Sequence, residues 1–331
     1  MQSIVEKFYT RPHSESRCGA WYSEDMLSRY TYHGGVWVDL EHPTEDEIRA
    51  ITKEFGVSER LEVELFSPSP SPVVAGDGGA AFLILHFPTH GTEDGEIRDQ
   101  EVDFIIGSSF IITVRYEVVE PIHRLQKLLQ TEQLITPKDS MTTDVLLEIL
   151  FAHLYTSVRN HTTHISEHLA HIEHEMFSGH EHATVRLISS VSRELLHIEA
   201  ALANQEEPLN RFLKGLSARG FFGVSFNERA ERMLAEHMQV ARLITTYRAV
   251  ATELRETNSS LLEAKQNEIM KTLTVITFSV MPLELIALIF GMHAPGTPLE
   301  QDPHAFLIIL ALMIGTGGIM MAFFARRHWL S

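Results

Sequence analysis

The sequence predicts an α+β protein: a cytoplasmic α/β domain over about residues 1–135, a long helical stalk over 136–270, and two transmembrane helices within 271–331. Three observations predict it. Short runs rich in β-branched and aromatic residues are confined to the first third of the chain. Helix-period apolar repeats take over from Thr142. Two stretches near the C-terminal end are almost free of charge.

In the first part, VWVDLEHPTEDEI (Val36–Ile48) predicts a strand, a proline turn and a helix start, with Thr44 and Glu47 spaced for a capping box. AAFLILHFP (Ala80–Pro88) predicts a strand, and Val102–Glu117 a pair of strands joined as a hairpin. Between them SPSPSPVVAGDGG (Ser67–Gly79) predicts a loop.

In the second part, Leu147, Leu150, Leu154, Val158, Ile165, Leu169, Ile172 and Met176 recur at spacings of three, four and seven, the signature of one buried helix face. A second helix is expected over about Ala183–Ser217. After the turn RGFFG a third begins near Asn227, and nothing stops it before Pro282. Continued to Met292, it is roughly 100 Å long at 1.5 Å per residue. Such a helix cannot bury its apolar stripe alone, which implies an oligomer or a surrounding bundle.

In the third part, Leu273–Met292 and Ala305–Ala325 are each about the length that crosses a hydrocarbon core. Lys265 and Lys271 precede the first span, and Arg326 and Arg327 follow the second, with Trp329 at the interface. The connecting loop, 293–304, has no Lys or Arg and carries Glu300 and Asp302. The excess of basic residues on one side predicts both termini in the cytoplasm and a short outer loop, in a plasma membrane or a bacterial inner membrane. The N-terminal segment lacks the apolar stretch of a secretory signal.

Composition excludes several functions. A net charge of −17 argues against a nucleic-acid partner, which requires a basic face. A single cysteine, Cys18, excludes a disulfide framework and a cysteine-rich metal centre. No phosphate loop or nucleophile–base pair stands out, so no enzyme and no cofactor are expected.

On a helical wheel of the first span, Asn267, Thr274, Met281 and Leu288 form one row. Met270, Thr277, Glu284 and Gly291 form a second, offset by three. Together they make the face with polar groups near mid-membrane. Polar groups in hydrocarbon are costly unless they face protein or water, so several copies of this helix around a wet axis accommodate them most simply. Glu284 is either a protonated residue hydrogen-bonded to a neighbouring helix or part of a ring that binds cations or protons. Pro282 removes one backbone donor within the span.

The run NEIMKTLTVITFSVMPLELIALIFGMH (Asn267–His293) resembles the pore helix of the CorA family of divalent-cation channels, whose pattern is close to NxxMKxLTxxxxxxxPLxxIxxxxGMN. The matching positions include Asn267, Met270, Lys271, Leu273, Thr274, Pro282, Leu283, Ile286, Gly291 and Met292. Arg326, Arg327, Trp329 and Leu330 match the family's basic C-terminus, and the resemblance covers about residues 30–331. It implies a funnel-shaped homopentamer that passes magnesium, cobalt or nickel, or zinc in the ZntB branch. Its partners are then other copies of itself, the lipid bilayer and divalent metal ions. The pore-lining residues implied are Asn267, Met270, Leu273, Thr274, Thr277, Met281 and Glu284, with Met270, Leu273 and Met281 as hydrophobic constrictions that gate by excluding water. Gly291, Met292 and His293 would shape the outer mouth.

Two positions depart from the pattern. His293 replaces the asparagine of GMN, and imidazole favours zinc, nickel, cobalt and copper over magnesium and changes charge near neutral pH. Glu284 stands where such pores usually carry a neutral polar residue. Magnesium transport, proton-coupled zinc movement and a non-conducting metal sensor all remain open on these residues. Separately, the chain has 19 histidines. His161, His164, His168 and His171 recur along one helix at spacings that can share a metal, or that simply line a solvated flank.

Overall fold

In the computed structural model, which describes residues 27–90, 97–130, 141–292 and 304–327, the chain forms two compact units. One comprises Met1–Glu167 with Ser192–Arg248, the other His168–Val191 with Ala249–Ser331.

The first unit is built on a six-stranded sheet with the order β1-β2-β6-β5-β4-β3. A hairpin joins β1 (Leu27–Tyr32) to β2 (Gly35–Glu41). Its turn requires glycine twice. Gly34 has φ +85°, and a Cβ on Gly35 would lie 2.5 Å from the Ser109 carbonyl oxygen. Next come α1 (Glu45–Glu54), closed by the expected Thr44–Glu47 capping box, and α2 (Glu59–Glu64). The segment expected to be a loop contains a short strand, β3 (Val73–Gly76), which pairs with β4 (Ala81–His90). Four residues carry too little pattern of their own; the pairing to β4 makes them a strand. β4, β5 (Ile97–Ile106) and β6 (Phe110–Arg115) form an antiparallel meander, and β6 returns beside β2 as the sheet's parallel pair. α3 (Glu120–Gln130) follows.

Alternation along the strands gives the sheet two buried faces. Val38, Leu40, Phe82, Ile84, Ile105, Ile112 and Val114 form one core with Ile48 and Ile51 of α1 and Leu61 of α2. On the other face Phe104 stacks on Phe151, and Phe87 meets Tyr155 edge-on, both partners on α4 (Thr143–Phe177). All eight apolar positions predicted for α4 are buried.

α5 (Glu181–Arg219) and α6 (Phe226–Gly291, 66 residues) complete the long helices. Up to Asn258 the buried positions of α6 run Phe226, Met233, His237, Val240, Ile244, Ala251, Leu254 and Asn258, a three-four alternation typical of long helices packed side by side. Two members are polar. His237 lies 2.9 Å from the Leu202 carbonyl oxygen with its ring edge-on to Tyr155, and burial pushes the imidazole's pKa down from its ordinary value. Asn258 accepts from the Thr184 hydroxyl at 3.1 Å and donates to the Glu181 carbonyl at 3.1 Å. A buried amide satisfied on both sides fixes one register along such a seam.

Candidate functional site

The second unit carries the C-terminal end of α6 and α7 (Ala305–Arg326). The most apolar eighteen-residue window of each helix is left almost wholly uncovered by the rest of the chain. The core helix of a soluble protein would be covered by its own fold. Helices of 66 and 22 residues that leave such windows bare require lipid or other copies as solvent.

The bare surface of α6 is two-sided. Val275 is buried, and Ser279, Pro282, Leu283, Ile286 and Phe290 are half-buried; on this side Leu283 meets α7 at Gly317. Thr274 and Phe278 join Ile319, Met320, Phe323, Phe324 and Arg327 in lining a groove of about 500 Å³ between the two helices. At ~100° per residue, the opposite side of α6 carries Met270, Leu273, Thr277, Met281, Glu284 and Leu288. Every one of these is exposed, as are Asn267 and Gly291 beside them. The predicted stripe is thus the side that α7 leaves uncovered. Thr274 is its exception: half-buried, it turns toward the groove.

The hydroxyls are already oriented. Thr274 donates to the Met270 carbonyl at 2.7 Å and Thr277 to the Leu273 carbonyl at 2.9 Å. A hydroxyl that has given its proton to the helix can only accept from its other side. Thr277 therefore presents lone pairs outward, the polarity that a cation or its hydration shell requires. Glu284 adds a carboxylate about two turns beyond. Pro282 lies within α6 and deprives the Phe278 carbonyl of its usual donor.

Before the apolar stretch, Lys265 pairs with Glu181 at 2.9 Å and holds that carboxyl below the usual carboxylate range. This tie and the Asn258–Thr184 bond join α6 to the start of α5. Sequence reasoning missed both, because the partners are 84 and 74 residues apart and neither pair carries a local signal.

Met292 is exposed just past the end of α6, whereas His293, Glu300 and Asp302 lie outside the described residues. Among the histidines, His161 is half-buried and 2.9 Å from Glu194, and His164 sits 3.4 Å from Glu167. His168 and His171 are exposed. Among the described residues, no three His, Cys, Asp or Glu side chains are arranged to hold a metal ion.

A mixed-sheet domain, helices of 35 to 66 residues and an apolar C-terminal helix pair define an integral membrane protein. Comparison with known proteins identifies which kind. The profile of the family described as "CorA-like Mg2+ transporter protein" matches residues 32–327, and the chain belongs to that family. The curated "Cobalt/magnesium transport protein CorA" of Methanocaldococcus jannaschii is 23% identical over 89% of this chain and 91% of its own length. The complete structure of the CorA magnesium transporter from the same organism superposes with a TM-score of 0.75 at 22% identity, covering 89% of this chain and 92% of that one. The ZntB cytoplasmic domain from Vibrio parahaemolyticus shares the fold with a TM-score of 0.57 at 14% identity, over 70% of this chain and 89% of the domain. These relatives are transporters rather than enzymes, so membership places the chain among divalent-metal transporters.

Proposed function

We propose that the chain assembles as a homopentamer around the uncovered stripe of α6 and conducts divalent cations along it, both termini facing the cytoplasm. The observation that carries this reading is the placement of Thr277 and Glu284 on the side of α6 opposite α7, flanked by Met270, Leu273, Met281 and Leu288. A carboxylate and outward lone pairs serve as cation ligands, and the apolar side chains between them act as constrictions that exclude water. Asn267 supplies amide oxygens toward the cytoplasmic end, and Gly291, Met292 and His293 form the outer mouth, with Glu300 and Asp302 nearby to attract cations. Membrane potential alone drives uptake: 100 mV contributes about 2.3 kcal/mol per charge, hence about 4.6 kcal/mol for a divalent ion.

Two measurements test the reading. Native mass spectrometry of the detergent-solubilised protein is expected to show five copies; a stable monomer or dimer would end the axial model. Metal flux into proteoliposomes is expected for more than one of magnesium, cobalt, nickel and zinc. Absence of flux with binding retained would leave a non-conducting sensor.

The second reading, proton-coupled zinc movement, is favoured by His293 standing where the resemblance expects asparagine. His293→Asn is expected to move preference toward magnesium. Zinc, nickel or cobalt uptake by the natural chain is expected to weaken once the outside solution is acid enough to protonate imidazole. Identical metal profiles for the two proteins between roughly pH 5.5 and 8 would remove His293 from selectivity.

A further inference from the structure

On the side of the sheet that packs α1 and α2, four titratable side chains meet near the end of α2. β5 supplies Glu101 and Asp103, β4 supplies His86, and Tyr116 follows β6. Asp103 is fully enclosed, and Glu101 is 8% exposed. Residues two apart on a strand share a face, so the two carboxyl groups stand side by side. In contact and away from water they cannot both ionise, since like charge and desolvation both favour keeping a proton between them. Burial, then Glu101, with Glu64 of α2 adding to it, pushes Asp103 well above the usual carboxylate range. Glu101 in turn holds the His86 imidazole up, from 3.2 Å, and Asp99 acts in the same direction while pairing with His197 of α5. The Tyr116 hydroxyl donates to the Leu65 carbonyl at 2.8 Å and lies 3.3 Å from Asp103. Oδ1 of Asp103 and Nδ1 of His86 are buried without a hydrogen-bond partner.

The same groups grip a loop. The backbone N–H of Ser69 donates to both oxygens of Glu101, at 3.0 and 2.8 Å, and Nε2 of His86 donates to the Ser69 carbonyl at 2.8 Å. Ser69 is the middle serine of SPSPSP, Ser67–Pro72. The prolines have no N–H, so Ser69 is a main anchor of the segment.

We infer that Glu101 and Asp103 form a site for one shared proton, and that this proton latches the Ser67–Pro72 loop onto the sheet. With the proton on Asp103, its carboxyl donates to Glu101. A single negative charge then remains, balanced by His86 and bonded by the Ser69 N–H. Without the proton, two buried anions repel. Relief comes from swinging Glu101 toward water, which releases Ser69. An acid whose folded value is raised contributes stability that is present below its unfolded value and lost as pH rises through the raised one. The latch therefore closes toward acid and opens toward base. Deprotonation of His86 acts in the same direction but more weakly, because it removes one attraction and creates no buried charge.

Hydrogen–deuterium exchange of the full-length protein tests this. Only Ser67, Ser69 and Ser71 have exchangeable amides in the segment, so the Ser69 signal is legible. After correction for intrinsic rates, Ser69 protection is expected to fall by about tenfold per pH unit between the ordinary carboxylate range and the raised value of Asp103, and to level off above it. Asp103→Asn, which keeps a donor toward Glu101 and cannot ionise, is expected to retain only the shallower dependence due to His86. Flat protection in the natural chain between roughly pH 6 and 9 overturns the latch, even if the variant fails to fold. So does an Asp103→Asn curve that follows the natural one.

Discussion

Glu284→Gln is expected to lower divalent-cation flux through the reconstituted protein by about tenfold or more at limiting metal, the equivalent of roughly 1.4 kcal/mol of lost ion binding. Glu284 is the acid of the Leu273–Met292 stretch, and it lies on the side of α6 that α7 does not cover. Insertion of an acid at the centre of a bilayer costs about 2.5–3.5 kcal/mol on translocon scales, so the residue must be turned to protein or to water. Around a common axis, copies of Glu284 would face one another, and an arriving cation would meet a ring of carboxylate oxygens. Glutamine keeps the size and removes the charge. Flux should therefore saturate at higher metal concentration, with the oligomer intact. Glu284→Ala should do the same and add leak through a wider constriction. If Glu284 instead hydrogen-bonds a neighbouring helix, glutamine leaves flux nearly unchanged and alanine lowers oligomer stability. Flux across metal concentrations, paired with thermal stability in detergent for both variants, separates the accounts.

Long-period features were legible in the sequence, and features set by packing between distant segments were not. α6 was expected from Asn227 to Met292 and runs from Phe226 to Gly291, because an uninterrupted heptad-like repeat without internal glycine declares itself. The capping box of α1 was equally local: both partners lie within three residues. β3 escaped notice because Val73–Gly76 is a strand only by virtue of its pairing with Ala81–Ile84. The site divides in the same way. Helical periodicity placed Met270, Thr277, Met281 and Glu284 on one side of α6, the resemblance added Leu273, and all five lie on the side left bare by α7. Thr274 sits at the edge of the same arc, and its turn toward the groove depends on where Phe323 and Phe324 of α7 lie. The carboxyl pair of Glu101 and Asp103 was invisible, since nothing in QEVDF announces that His86 and Ser69 will close over it.

The buried ion pair between β2 and β6 gives the largest expected effect on stability. Asp39 and Arg115 are 2% and 1% exposed. Nε and Nη2 of Arg115 donate to Asp39 Oδ2 at 3.0 and 2.9 Å, and Nη2 also reaches Glu41 at 2.5 Å. Asp39 accepts further from the Thr113 hydroxyl and from Gln126 of α3 at 2.7 Å, while Trp37 donates to Thr113 at 3.0 Å. The network thus ties α3 to the parallel strand pair on which the sheet's topology turns. Arg115→Met keeps most of the stem and removes the cation, leaving Asp39 as an uncompensated buried charge. The expected loss is about 3–5 kcal/mol. Adding Asp39→Asn removes that charge and should restore part of the loss, a non-additivity that neighbouring partners require. Denaturant unfolding followed by Trp37 fluorescence, with the other two tryptophans replaced by phenylalanine, measures both variants. A loss below about 1 kcal/mol for Arg115→Met would place the pair with exposed ones, whose breakage costs little. Equal losses in the single and double variants would show that Arg115 stabilises the sheet by the packing of its stem, and that the charge of Asp39 is tolerated by Thr113 and Gln126 alone.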